Sequence, residues 1–129
     1  MDLLLDTHTF LWFVWNDPQL SATARALLVD PANRKLISAA SHWEIAIKVS
    51  IGKLNLGEPF RSFMHREITR NYFELLPISL DHSAAASVLP FHHHDPFDRM
   101  LVAQATVENL PLVSADATFD GYPGVRRLW

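Results

Sequence analysis

Short apolar runs and helix-like segments alternate along this chain, and the alternation limits its fold more than any other feature. Asp2-Leu3-Leu4-Leu5 is a continuous apolar run of strand length that stops at Asp6. A run with no polar alternate is a strand covered on both faces, the habit of parallel sheets. Further strands are expected at residues 35–39, 73–78 and 111–114, with residues 125–129 as a possible edge strand. Helices are expected between them at residues 7–15, 21–29, 41–51, 59–71, 81–89 and 96–108. Such an order implies an α/β fold with a central, mostly parallel sheet of four to five strands flanked by helices. The 129 residues fit one domain, 1–129, large enough to bury a real core.

Local chemistry supports several helix starts. Asp95 is a good N-cap, and Pro96 suits the first helical position because its missing N–H would be unpaired there anyway. In the helix that follows, Asp98, Leu101, Val102 and Ala105 fall along one side. That side is otherwise apolar, and an ionised carboxylate facing inward must be paired, hydrogen-bonded or bound to a metal. Ser41 and Glu44 have the spacing of a capping box, which places Glu44 in the first turn of its helix. The segment from Phe10 to Trp15 is apolar nearly all round, so it is expected to be buried or covered by a partner.

Four acids then occupy equivalent places: Asp6 after the first strand, Glu44 in the helix after the second, Asp98 in the helix before the fourth, and Asp116 after the fourth. In a parallel α/β sheet, strand C-termini and helix N-termini share one edge, and ligands bind in the crevice there. Carboxylates gathered there repel one another unless neutralised. A hard divalent cation with oxygen ligands, Mg²⁺ or Mn²⁺, resolves the repulsion and would polarise a phosphate for attack by water. Each acid also has a simpler role. Asp6 can cap a helix, Glu44 can complete the Ser41 box or pair with Lys48, Asp98 can favour a helix dipole, and Asp116 can shape a turn.

Composition narrows the classes. There is no cysteine, which excludes disulfides, thiolate metal sites and a cysteine nucleophile. No apolar run is long enough to span a bilayer, so no membrane association is expected. The first residues lack a basic, cleavable signal, and together these features favour the cytoplasm. The formal net charge of −3 argues against a nonspecific nucleic-acid binder, unless clustered acids are neutralised by a metal. Two other classes fit an α/β domain: a phosphotransfer or phosphatase domain, and a noncatalytic interaction module whose acids are only caps. Asp6-Thr7-His8 lacks the second Asp of one phosphotransfer group, and no well-placed lysine follows the fourth strand.

The ordered motifs carry a family likeness over essentially the whole chain. Leu3-Leu4-Leu5-Asp6-Thr7-His8 resembles an opening strand with its first catalytic Asp, and Ser41-His42-Trp43-Glu44-Ile45 a Ser-x-Trp-Glu-Ile helix. Pro90-Phe91-His92-His93-His94-Asp95-Pro96-Phe97-Asp98-Arg99 resembles a Pro-x-His-His-x-Asp-Pro-Phe-Asp-Arg segment, and Leu112-Val113-Ser114-Ala115-Asp116 a late strand with the last acid. This set resembles the PIN-domain ribonucleases, most closely the VapC-type toxins of bacterial toxin–antitoxin pairs. The resemblance implies a Mg²⁺- or Mn²⁺-dependent endoribonuclease acting on RNA, inhibited by a cognate antitoxin protein and often a homodimer. By position it makes Asp6, Glu44, Asp98 and Asp116 the catalytic and metal-binding acids.

Other residues are weighed on chemistry alone. His92, His93 and His94 look like a metal-binding tract, but consecutive side chains point in different directions, so a loop or cap role is expected. Thr7 and Ser114 are candidates to orient a metal-bound water or a carboxylate, with backbone capping the alternative and the expectation for Ser114. Arg99 is a candidate phosphate contact or a solvated helix residue. Trp12 and Trp15 are candidates to grip an antitoxin segment, with core packing the alternative for Trp12.

Overall fold

The computed structural model describes all residues, Met1–Trp129. Its strands are β1 (Asp2–Leu5), β2 (Arg34–Ser38), β3 (Phe73–Leu76), β4 (Leu112–Val113) and β5 (Arg127–Leu128). The helices are α1 (Thr7–Val14), α2 (Ala22–Val29), α3 (Ala39–Ser50), α4 (Phe60–Arg70), α5 (Leu80–Ser87) and α6 (Pro96–Val107), with a 3₁₀ turn at Ala117–Gly121. The strands form one sheet in the order β3-β2-β1-β4-β5, and every neighbouring pair is parallel. The chain builds outward from β1 through β2 to β3, then returns to add β4 on the other side of β1. The order therefore reverses between β1 and β4, which opens a crevice at their carboxyl ends.

The period of two along β1 divides the core. Leu3 and Leu5 face one side with Phe10, Leu11, Leu28, Ile37, Phe63 and Val113. Leu4 faces the other with Leu36, Leu101, Val102, Ala105, Leu112 and Phe119. All three β1 leucines are fully buried, which stabilises the central strand by about 1.5–3 kcal/mol per side chain. The register aligns Leu4 with Leu36 and Leu112, and Leu5 with Ile37 and Val113. The ends of β1, β2 and β4 are thus level, and residues just beyond them reach a common edge.

The expected elements are present, with changes at their ends that bear on the site. Strand β2 runs directly into α3, so Ser38 is the N-cap and its Oγ accepts from Ala40 N at 3.0 Å. The expected Ser41–Glu44 capping box does not form. Ser41 lies inside the helix, buried, with an Oγ that has no hydrogen-bond partner, and Glu44 sits in the second turn. Helix α5 starts with a box that sequence rules do not anticipate, because His82 replaces the usual Glu or Gln. His82 Nδ1 accepts from Ser79 N, so Nε2 carries the proton and donates to Glu108 Oε1 at 2.8 Å, joining α5 to α6. No helix is long and apolar enough to cross a membrane.

A carboxylate cleft at the carboxyl edge of the sheet

Asp6 is the first residue past β1 and the N-cap of α1. Its Oδ1 accepts from Thr9 N at 2.8 Å, and its Oδ2 accepts from Ser114 Oγ. Thr9 Oγ1 in turn donates to Val113 O at 2.9 Å, which locks the start of α1 to the end of β4. Asp6 is therefore both a helix cap and a wall of the crevice. Because each carboxylate oxygen has two acceptor directions, capping leaves it able to bind a further group.

Glu44 reaches the same crevice from α3. Thr7 Oγ1 donates to Glu44 Oε1 at 2.7 Å, and Lys48 Nζ pairs with Glu44 Oε2 at 2.8 Å. Thr7 thus orients a carboxylate, one of the two roles anticipated for it. Ser114 does more than the backbone capping expected of it. Its Oγ accepts from Asp116 N at 3.1 Å and also donates to Asp6.

Asp116 begins the 3₁₀ turn after β4. Its Oδ1 accepts from Thr118 N at 2.9 Å, and its Oδ2 accepts from His93 Nε2 at 2.9 Å. Burial works against ionisation of Asp116, but the hydrogen bonds from His93 and Thr118 outweigh it and hold the carboxyl below its ordinary range. Asp98 behaves oppositely. Burial pushes its carboxyl up to about 6, helped by the negative charges of Asp95, Glu44 and Asp6, with His93 pulling the other way.

Together Asp6, Thr7, His8, Glu44, Lys48, Asp95, Asp98 and Asp116 line a cleft of about 150 Å³ with no hydrophobic wall. All four anticipated acids are present, and Asp95, the N-cap of α6, adds a fifth. Lys48 is the one lysine on the lining, so carboxylates greatly outnumber it. Oxygen donors of this density, with one carboxyl driven toward neutrality by burial and then by its acidic neighbours, fit a hard divalent cation.

Sequence rules missed His93 as a residue of this site. Of the three histidines, His93 alone turns inward and is buried, and its ring nitrogen and carboxylate oxygens of Asp98 and Asp116 all lie within 4.8 Å of one another. His92 packs edge-on against Tyr122, and His94 stacks on Phe91 at the surface. The only available signal was that neighbouring side chains diverge, so one of the three had to face inward. Arg99 is partly buried and bonded within the chain, so it is not a merely solvated helix residue. Its guanidinium donates to the carbonyls of Ala86, Leu89, Pro90 and His93 and lies 4.1 Å from the Phe91 ring centre. It is a clasp on the loop that carries His93 and Asp95.

Beside the cleft, His8, Leu11, Trp12, Trp15, Ile45, Lys53 and Leu54 line a second groove that shares Thr7, His8 and Lys48 with the first. Trp12 packs between His8 and Trp129 and is partly buried, whereas Trp15 is 42% exposed against Phe63.

Comparison with known proteins agrees with this architecture. Residues 3–125 match the family described as PIN domain. A ribonuclease named VapC16, from Mycobacterium tuberculosis, is 41% identical over 73 residues, 54% of this chain and 50% of that protein. The match thus spans half the length of that relative. Among solved structures, VapBC2 from Rickettsia felis, bound to a promoter DNA fragment, superposes with a TM-score of 0.73 at 18% identity, covering 99% of this chain and 98% of that one. VapBC-5 from Mycobacterium tuberculosis, a member of the VapBC family of toxin–antitoxin systems, gives a TM-score of 0.63 at 19% identity, covering 98% and 97%. At those identities the structural likeness is one of fold.

Proposed function

The chain belongs to the PIN-domain family, and from that premise we propose that it is a divalent-metal-dependent endoribonuclease and the toxin of a toxin–antitoxin pair. Asp6, Glu44, Asp98 and Asp116 are the acids that hold the metal, Mg²⁺ or Mn²⁺. The observation that carries this reading is the convergence of these four carboxylates, from β1, α3, α6 and the β4 turn, in one polar cleft. The resemblance to a ribonuclease supports the RNA substrate, and the toxin–antitoxin neighbours support a protein partner.

When bound, the divalent ion supplies Lewis-acid polarisation of the phosphate and activation of a water for in-line attack. The chain's own residues prepare the site. Thr7 aims Glu44, Ser114 aims Asp6, and Thr118 N holds one oxygen of Asp116. No serine, cysteine or histidine is required as a nucleophile, and neither is the RNA 2′-hydroxyl. The products are 5′-phosphate and 3′-hydroxyl ends. The antitoxin covers the apolar groove beside the cleft, where Trp15 is exposed.

The test is cleavage of a structured RNA with Mg²⁺, Mn²⁺ or EDTA, followed by end-group analysis. Asp6→Asn is expected to keep the fold, because an amide oxygen still caps α1, and to lose most cleavage, because a charged ligand is gone. Full activity in EDTA, or 2′,3′-cyclic phosphate ends, would overturn the mechanism.

A further inference from the structure

Asp116 sits on a turn, and its side chain is 43% exposed. A carboxylate in such a place ordinarily samples several rotamers. Here both oxygens are engaged, Oδ1 by Thr118 N and Oδ2 by His93 Nε2. The second contact comes from a side chain that is itself immobilised. The His93 ring lies 4.4 Å from the Phe119 ring centre and stacks on Tyr122 at 5.7 Å with an interplanar angle of 9°. Its carbonyl is held by Arg99. Its backbone N donates to Tyr122 Oη at 2.9 Å, and its Nδ1 lies 3.2 Å from the same oxygen.

The Asp116 carboxylate can only accept, so the ring nitrogen facing it, Nε2, is the donor, and Tyr122 suits this tautomer by leaving Nδ1 a hydroxyl to accept from. Tyr122 Oη accepts the His93 backbone N–H, and its single hydrogen is free to point at Nδ1. With Nδ1 accepting, the ring proton is on Nε2. If the ring carries two protons, Nε2 is still a donor. Either way His93 presents an N–H to Asp116, the arrangement by which buried partners orient carboxylates that ligate metals.

We propose that His93 is a positioning residue for Asp116, held by Tyr122 so that the Tyr122–His93–Asp116 chain presets this carboxylate for the divalent ion. The proposal rests on the metal-dependent reading above. It makes His93 a hydrogen-bond donor to an acid and not a ligand, although its ring nitrogen lies close to the Asp98 and Asp116 oxygens. Removing such a partner costs about tenfold to a hundredfold in metal affinity or activity.

The experiment measures Mn²⁺ affinity by calorimetry for the unaltered protein, His93→Leu, His93→Gln and Tyr122→Phe, with RNA cleavage followed in parallel. His93→Leu keeps apolar bulk without the donor and should bind Mn²⁺ at least tenfold more weakly, with kcat reduced and KM for RNA little changed. His93→Gln restores a side-chain N–H and should recover most of the affinity. Tyr122→Phe, the mildest change, should fall between and keeps the test open if His93→Leu does not fold. Pulsed electron paramagnetic resonance of the Mn²⁺ complex should show no directly bound nitrogen. A bound-nitrogen signal, an unchanged affinity in Tyr122→Phe and His93→Leu, or a glutamine variant as weak as leucine would each overturn the proposal. An unaltered protein that binds Mn²⁺ without cutting RNA would overturn the nuclease reading alone. One that binds no Mn²⁺ would overturn both.

Discussion

Ser114 and Asp6, 108 positions apart in sequence, are joined by a hydrogen bond from the serine hydroxyl to the carboxylate at the reversal point of the sheet. The same hydroxyl accepts from Asp116 N. One buried oxygen therefore sets the spacing between the first and last acids of the cleft, and it can do so because β1 and β4 are adjacent and in register.

Ser114→Ala removes both bonds while adding no bulk. Asp116 is exposed, so water can take over its N–H, but Asp6 is buried and loses a donor. The expected cost is about 1–3 kcal/mol, read as a lower urea midpoint with an unchanged slope. Cleavage should fall about tenfold or more, because Asp6 and Asp116 lose their common reference point. Equal stability and equal activity would mean that the hydroxyl does no more than fill space.

The sheet and the gathering of acids were legible because both depend on short-range pattern. Leu3-Leu4-Leu5 has the composition of a strand buried on both faces, and Asp6, Ser21 and Asp95 cap helices at or within a residue of the expected places. Parallel strands then bring their ends to one edge whatever the details. The remainder depends on contacts that no local rule contains. Ser41–Glu44 has ideal box spacing, yet β2 ends at Ser38, one residue short of the expected strand, and α3 starts there with Ser38 as its cap. Glu44 still reaches the cleft, one turn later than anticipated, because α3 packs against α1 and α6. His93 and Arg99 act through partners far along the chain or through the carbonyls of a loop, and neither leaves a periodic trace.

Asp98 gives a stability prediction with a definite sign. Its carboxyl is raised from 3.8 to about 6 in the folded protein. Between roughly pH 4 and 6 the folded chain therefore holds a proton that the unfolded chain has released, so stability falls as pH rises through that window. Asp116 shifts the opposite way, and its contribution is lost only as pH drops below the ordinary carboxylate range. Asp98→Asn should flatten the decline between pH 4 and 6 and raise metal-free stability at pH 7. With solvent screening allowed for, the gain is on the order of 1 kcal/mol. The same variant should lose Mn²⁺ binding and cleavage. Thermal melts in EDTA across pH 4–8 would check it, and a slope identical to that of the unaltered protein would refute it.

Arg99 gives the last prediction, because its neighbour Asp98 faces the cleft while Arg99 faces the loop. Helix α5 ends at Ser87; Ala86 O in its last turn accepts only a long bond from Leu89 N, at 3.4 Å, and Leu89 lies two residues beyond the end, so both carbonyls have room for a further donor. Arg99 Nη2 takes both, at 3.0 and 3.1 Å, while Nη1 takes Pro90 O at 3.0 Å and His93 O at 3.4 Å. A planar fork can satisfy four acceptors at once, but a lysine ammonium on a flexible stem cannot. Arg99→Lys should therefore rescue little of what Arg99→Ala loses, which is about 2 kcal/mol for charge-assisted bonds with partial exposure. Hydrogen exchange should quicken at the amides of residues 91–95 and at His93 in particular, whose N–H otherwise rests on Tyr122. Cleavage should drop mainly through kcat, since the loop carries the donor to Asp116 and no group that must hold RNA. If instead KM for RNA rises while exchange and stability stay as they were, Arg99 is a phosphate contact and the clasp is incidental.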